Sequence, residues 1–216
     1  IMDADGALAC VREFDEPACV VVKHANPCGV AVGDNLLGVY TRAFSADSLS
    51  AFGGIIAFNR TCTRGVAEAI SKVFVEIILA PSFEPEALDI FKKKKELRDL
   101  GISKFEKRTA KLDVRNVDGG LLVQDTDTKT LSKNDLTVVT KKQPSKQEIK
   151  TTLFTWKVLR HAKSNGILIS KDNTTVGLGA GQVSRVDAVH MALRKGGKNV
   201  KGGILASDAF FPFRDS

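Results

Sequence analysis

Aromatic side chains are scarce in this chain of 216 residues: they make up 6%, with one Trp and one Tyr beside twelve Phe. Histidine is rarer still, at three residues, and cysteine stops at four. Cys10, Cys19, Cys28 and Cys62 form no C-x-x-C pair, and no cysteine lies downstream. A structural zinc site needs convergent thiolates or imidazoles at close spacing, and none is offered. The four read as reduced thiols of an intracellular protein, with a cytoplasmic location expected. No apolar run approaches the roughly 20 residues of a membrane-spanning helix. The opening Ile1-Met2-Asp3 carries no secretory pattern. What remains is ordinary globular composition, 43% hydrophobic and 26% charged. Disordered, collagen-like and disulfide-scaffold classes are excluded, and the length fits one or two domains.

The formal charge of +7 invites a nucleic-acid reading. Nine basic and three acidic residues between Lys92 and Lys111 account for +6 of it, which leaves +1 elsewhere. No recognised nucleic-acid motif accompanies that stretch, so neither a nucleic acid nor a membrane is expected as partner. Lys92–Lys95 reads as a solvated helix end, or as an attractor for a polyanion such as a polyglutamate tail. The stretch reads as lying away from the motifs that carry chemistry. The chain closes on Phe211-Pro212-Phe213-Arg214-Asp215-Ser216, apolar and motif-like, and both ends read as cut from a longer polypeptide.

Ala18–Val22 reads as a buried strand delivering Lys23 and His24 at its end. Asp34 or Asn35 is placed to cap a helix carrying Leu36, Leu37, Tyr40 and Phe44. Gly53-Gly54 leads into a strand at Ile55–Phe58, and Gly65–Ser71 reads as a short helix. Val75–Leu79 is a strand, and Pro85–Lys95 a helix with Pro at its first position. Lys111–Gln124 alternates as strands do, broken at Asp118-Gly119-Gly120, before a polar loop. Ser145 and Glu148 form a capping box for a helix reaching about His161. Strands follow at Gly166–Ser170 and Thr174–Leu178. A helix capped by Ser184 then faces Val186, Val189 and Leu193 inward and ends at Gly196-Gly197. Strands alternating with helices argue for an α/β sandwich. Lys23-His24-Ala25 and Arg160-His161-Ala162, each with a Gly six residues after its cation and a later Asp-Asn, form a weak internal echo.

Lys23-His24 before Asn26-Pro27-Cys28-Gly29 is the sharpest local feature. Neutral imidazole beside an ammonium can take a proton near neutral pH. Pro27 and Gly29 would bend the chain so that both side chains face a cleft, although a merely solvated loop has the same spacing. The segment also lies one Glu and one Cys short of the H-x-E…P-C-x-x-C pattern of zinc deaminases, which disfavours metal-assisted deamination. Gly177-Leu178-Gly179-Ala180-Gly181 could cradle phosphate at a helix start, but it is not G-x-G-x-x-G and tight packing accounts for it as well. Asn165 stands before a strand, where its amide could serve a ligand or a turn. Ser207–Phe213 gathers three aromatics and a Pro, apt as the wall of a flat heterocycle pocket.

These motifs, with Ser-Ala-Phe-Gly-Gly-Ile-Ile-Ala-Phe-Asn at 50–59, Val-Glu-Ile-Ile-Leu-Ala-Pro at 75–81, His-Ala-Lys-Ser-Asn at 161–165 and Gly-Leu-Gly-Ala-Gly-Gln-Val-Ser-Arg at 177–185, resemble the AICAR transformylase domain of the bifunctional AICAR transformylase/IMP cyclohydrolase family. The resemblance implies a cytidine-deaminase-like three-layer sandwich of two related lobes, placed at residues 1–140 and 141–216, truncated at both ends. It implies formyl transfer from 10-formyltetrahydrofolate, as co-substrate, to the 5-amino group of AICAR in purine biosynthesis, with no catalytic metal. Lys23, His24 and Asn165 are the implied catalytic residues. Asn26, Gly53, Glu76 and Phe210 are implied on the AICAR side, and Phe52, Arg185, Pro212, Phe213 and Asp215 on the folate side. The family's active sites lie between two subunits, so a homodimer is implied. Its cyclohydrolase domain, the residues holding the AICAR phosphate and its final segment are not in this chain. An inactive deaminase-like binding or structural fragment is therefore the alternative.

Overall fold

Strands buried on both faces read as unbroken apolar runs, and that is how β-branched residues cluster here. The computed structural model describes residues 1–102 and 112–213. The chain begins with α1 (Met2–Val11), followed by the hairpin β1 (Ala18–Lys23) and β2 (Asn26–Val32). Next come α2 (Leu36–Ala46), the single turn α3 (Ser48–Ala51), β3 (Gly54–Phe58), α4 (Arg64–Ile70), β4 (Val75–Ala80), α5 (Pro85–Phe91) and β5 (Arg98–Gly101). A separate hairpin, β6 (Leu112–Val117) and β7 (Gly120–Asp125), precedes α6 (Lys146–Leu159). The chain continues with β8 (Ile167–Lys171), β9 (Thr174–Gly179), α7 (Arg185–Gly196) and β10 (Ile204–Ser207).

Eight strands form one mixed sheet in the order β10-β8-β9-β2-β1-β3-β4-β5. The contacts β3–β4 and β4–β5 are parallel, and the other five are antiparallel. Side chains of β1 alternate between two cores: Cys19 and Val21 join α2, α4 and α5, while Ala18, Val20 and Val22 join α1 and α6. Ile167 and Ile169 of β8 pack on Ala188 and Ala192 of α7. The fold is thus α/β, with helices on both faces of the sheet.

The element order repeats. Helix, hairpin, helix and a third strand pairing antiparallel to the hairpin's first strand occur as α1-β1-β2-α2…β3 and again as α6-β8-β9-α7…β10. The residues of the sequence echo do not carry this repeat. Lys23-His24-Ala25 ends a strand and enters a hairpin turn, whereas Arg160-His161-Ala162 follows the end of α6. The sheet order is correspondingly mirrored about the β9–β2 contact.

Several sequence expectations change in detail. Helix α1 and strands β2, β5 and β10 were not anticipated. Pro27 and Gly29 do not form a bend: they lie within β2, where a bulge at Cys28 lets Val21 face Gly29 and Val22 face Pro27. Helix α5 stops at Phe91, with Lys92 as its C-cap. The inward residues of α7 are Ala188 and Ala192 with Val189 beside them, while Leu193 is exposed. The cause is close approach: a Cβ on Gly177 or Gly179 of β9 would lie 2.1 Å from the Ala192 oxygen or 1.9 Å from the Ala188 oxygen. Only small residues fit that seam. The expected strand start at Lys111 lies outside the described residues.

Among the described residues no helix is long and apolar enough to cross a membrane. A Cβ at Gly29 would sit 1.9 Å from the Ala43 oxygen of α2, whereas one at Gly6 in α1 meets nothing within 4 Å. Gly29→Ala should therefore destabilise the protein by about 3 kcal/mol or more. Gly6→Ala should instead stabilise it by about 0.5–1 kcal/mol. Denaturant unfolding of the two variants checks both signs.

Candidate active site

The strand directions collect the sequence-identified residues at one end of the sheet. Lys23 ends β1, Asn26 begins β2, Gly53 precedes β3 and Glu76 is the second residue of β4. Asn165 precedes β8, Arg185 follows β9 as the first residue of α7, and Phe210–Phe213 follow β10. Because β2, β3 and β8 run antiparallel to the strands that end there, all these positions share one rim. Asp215 lies outside the described residues.

Two groups are built on that rim. In the first, the Lys23 ammonium donates to the Phe52 carbonyl oxygen at 2.7 Å. Gly53 has φ +64°, its N–H donates to the Phe74 oxygen at 2.9 Å, and a Cβ there would lie 3.0 Å from Lys23 Nζ. The positive φ is what favours glycine here. The Phe52 and Phe74 rings pair at 5.3 Å and both stay exposed. Glu76 is exposed.

His24 and Ala25 form the two-residue turn between β1 and β2, with φ of 50° and 58°. Left-handed backbone is uncommon for such residues and costs of order 1–2 kcal/mol apiece. The turn is held from outside. His24 N–H donates to Asp3 Oδ2 and Ala25 N–H to Asp3 Oδ1, each at 2.9 Å. Asn26 donates from Nδ2 to the His24 oxygen at 3.1 Å and accepts the Lys163 N–H at 3.0 Å. His24 therefore has its backbone tied on both sides while the residue stays exposed.

The second group centres on Arg185. Its guanidinium donates to Asn165 Oδ1 at 2.7 Å, to Ser207 Oγ at 2.8 Å and to the Asp208 carboxylate. Asn165 Nδ2 donates to the oxygens of Gln182 and Val183. The Asn165 carboxamide is thus engaged at both ends within the chain. Three strand steps separate β8 from β1, about 14 Å at the usual spacing. Lys23 and Asn165 stand in separate groups, which the segment before β8 links where the Lys163 N–H meets Asn26 Oδ1. Phe210 and Phe213 are largely exposed beyond this second group and join no core.

The basic turn proves to be near this rim, contrary to the sequence reading. Lys94 Nζ donates to the Val73 oxygen at 2.9 Å, next to Phe74, and β5 begins beside Ile77 of β4. A different region holds a cavity of about 390 Å3 lined by Glu13, Asp127, Lys157, Arg160 and His161. Arg160 pairs there with Glu13 and Asp127, His161 contacts Glu13, Lys157 donates to the Glu13 backbone oxygen, and none of the implied catalytic or substrate-side residues lines it. It is a less apt site than the rim.

Among the described residues no cluster of three His, Cys, Asp or Glu could hold a metal ion. Burial, and the nearby Asp47 carboxylate, push the Cys28 thiol up to about 12. Its Sγ donates to the Val21 oxygen. The residues missed from sequence are Asp3, Phe74 and Asp208. Asp208 belonged to a quoted motif and its position after a strand could have marked it; Asp3 had no such signal.

An α/β protein with a polar rim of Lys, His, Asn and Arg flanked by exposed aromatics is fit to bind and act on a polar ring compound. Comparison with known proteins gives the family. The model of the AICARFT/IMPCHase bienzyme matches residues 1–195. The chain belongs to that family. It is 50% identical over 216 residues to the bifunctional purine biosynthesis protein PurH of Thermoanaerobacter sp. (strain X514). That match covers 100% of this chain and 42% of the relative, so the chain spans less than half the length of that protein. A solved structure of Acinetobacter baumannii RibD, form 1, is 16% identical with a TM-score of 0.32, covering 47% of this chain and 34% of its own. That score carries no weight for the fold.

Asp208 is an exposed residue whose side chain is partly covered, and that burial alone would raise its pKa. Hydrogen bonds from Arg185 and Ser164, the Gly166 backbone and the Arg185 charge outweigh this and lower it from 3.8. A lowered folded-state value stabilises above the unfolded pKa, and the gain is lost as pH falls through the folded one. Solvent screens this exposed pair, so Asp208→Asn should cost less than about 1 kcal/mol at pH 7. The gap to the wild type should close as pH drops below 3.8, read from denaturation midpoints across pH.

Proposed function

We propose that the rim carries formyl transfer from 10-formyltetrahydrofolate to the 5-amino group of AICAR, the transformylase half of a purine-biosynthesis bienzyme. The observation that carries this reading is the Lys23-His24 pair held on one rim, in a chain of this family. The AICAR amine is a poor nucleophile, because its lone pair is delocalised into the ring and carboxamide. Positioning and a base are therefore needed. The amine nitrogen attacks the formyl carbon, forming the new C–N bond, and its proton passes to His24. Lys23 stabilises the charge on the formyl oxygen. The carbon–nitrogen bond to folate then breaks and His24 returns the proton to the departing nitrogen. No redox step is involved. On this reading Asn26, Gly53, Glu76 and Phe210 border the AICAR end, and Phe52, Arg185, Pro212 and Phe213 the folate end.

The exposure of Phe210 and Phe213 favours sites completed between two copies of the chain. The repeated helix–hairpin–helix–strand order supports two related lobes, and a cytidine-deaminase-like origin for each. A cytoplasmic setting accords with this chemistry.

In the full polypeptide, His24→Ala should lower transformylase kcat by about 1,000-fold. Wild-type turnover would remove His24 from the mechanism. An equal, randomly re-paired mixture of His24→Ala and Asn165→Ala chains should regain about a quarter of wild-type activity when sites are shared between copies. No recovery would place each site within one copy.

A further inference from the structure

We propose that Asp3 is a positioning residue: its carboxylate sets the left-handed turn that presents His24, and so governs the rate of the step His24 performs. The functional part of this inference rests on the formyl-transfer reading above. The β8–β9 hairpin turns through Asp172 and Asn173, also at positive φ (48° and 56°), and those residue types tolerate the conformation by local hydrogen bonding. The β1–β2 hairpin makes the same two-residue turn with His24 and Ala25. Ala25 has no such side chain, so the turn needs an outside anchor. Asp3 supplies it, with one carboxylate oxygen on each successive N–H at 2.9 Å. Adjacent N–H groups converging on an anion form a strong, directional clamp.

Its rigidity comes from α1. Ala7, Cys10 and Val11 are fully buried against the sheet, and Asp3 stands on the first turn of that helix, at the rim. An acidic residue there also suits the helix dipole, which is the merely structural reason for Asp3. Asp5, exposed in the same turn, meets that reason equally and makes no bond to the His24 turn. It is the internal control.

The test uses the full polypeptide. Asp3→Ala should lower transformylase kcat by about 100-fold with KM for either substrate changed less than about twofold, because a small misplacement of a catalytic group acts on the reacting geometry. Asp3→Asn, with one acceptor oxygen, should fall between, and Asp5→Asn should match the wild type. Adding Ala25→Gly to Asp3→Ala should recover about fivefold or more, since glycine adopts positive φ readily. Amide hydrogen exchange at His24 and Ala25 should quicken in Asp3→Ala while Cys10 and Val11 stay protected. Wild-type kcat in Asp3→Ala overturns the proposal. So does a loss shared with protection across α1 and not relieved by Ala25→Gly, which would make Asp3 a helix anchor. Normal turnover in His24→Ala would defeat the base reading alone, while exchange at His24 and Ala25 would still report whether Asp3 holds the turn.

Discussion

One narrow junction joins the two αββαβ units into a single sheet. Strands β2 and β9 share the register pair Ala31–Thr174, with the Val32 N–H donating to the Asn173 oxygen. Next along, the buried Thr175 hydroxyl takes the place of a backbone partner, accepting from Val30 N–H at 2.8 Å and donating to Val30 oxygen at 3.3 Å. A hydroxyl both gives and accepts, so it satisfies two buried backbone groups where the ladder runs out. Without it, two polar groups of β2 would be orphaned in the core. Everything on the rim inherits its alignment from this seam, because the Lys23 group hangs from one side and the Arg185 group from the other.

Close packing then fixes how the helices meet the sheet. Gly29 admits α2, and Gly177 and Gly179 admit α7, each with a helix carbonyl where a Cβ would be. These two helices are tied to each other by Lys195 and Asp47, 2.8 Å apart. Asp47 also caps α3 through Ser50, and α3 ends just before Phe52, whose carbonyl holds Lys23. Partial burial works against the Asp47 charge, but Lys195 and Ser50 outweigh it and its pKa falls. The second unit therefore steadies the first unit's lysine through a chain of contacts that no single motif displays.

Much of the fold was legible because its signals are local. The body of β1, and β3, are continuous apolar runs, β4 is apolar apart from Glu76, and the Ser145–Glu148 capping box of α6 is present with both bonds made. Asn35 caps α2 by accepting from Gly38 N–H. Strand β2 was missed because Pro27 and Gly29 ordinarily mean a turn, and only the bulge at Cys28 and the press of α2 explain them inside a strand. For α7, periodicity selects the largest apolar residues, while the seam selects the smallest. The site residues were found by motif, yet their grouping was not: that Asn165 is taken up by Arg185, or that Asp3 reaches across 21 positions to His24, depends on long-range geometry.

The charge distribution follows the same logic. In sequence the lysines from Lys92 stand apart from every motif, yet the parallel crossover through α5 returns the chain to the end of the sheet where β4 begins. Lys94 is bonded to Val73 there, and Lys92 to Asp89, while Lys93 and Lys95 are exposed. Charges on flexible stems a few strands from a polar rim do little for stability. They raise the local concentration of anions, and salt screens that effect over about 8–10 Å. The described part of the excess charge, Lys92–Lys95, thus stands at the rim's end of the sheet and not on a separate surface.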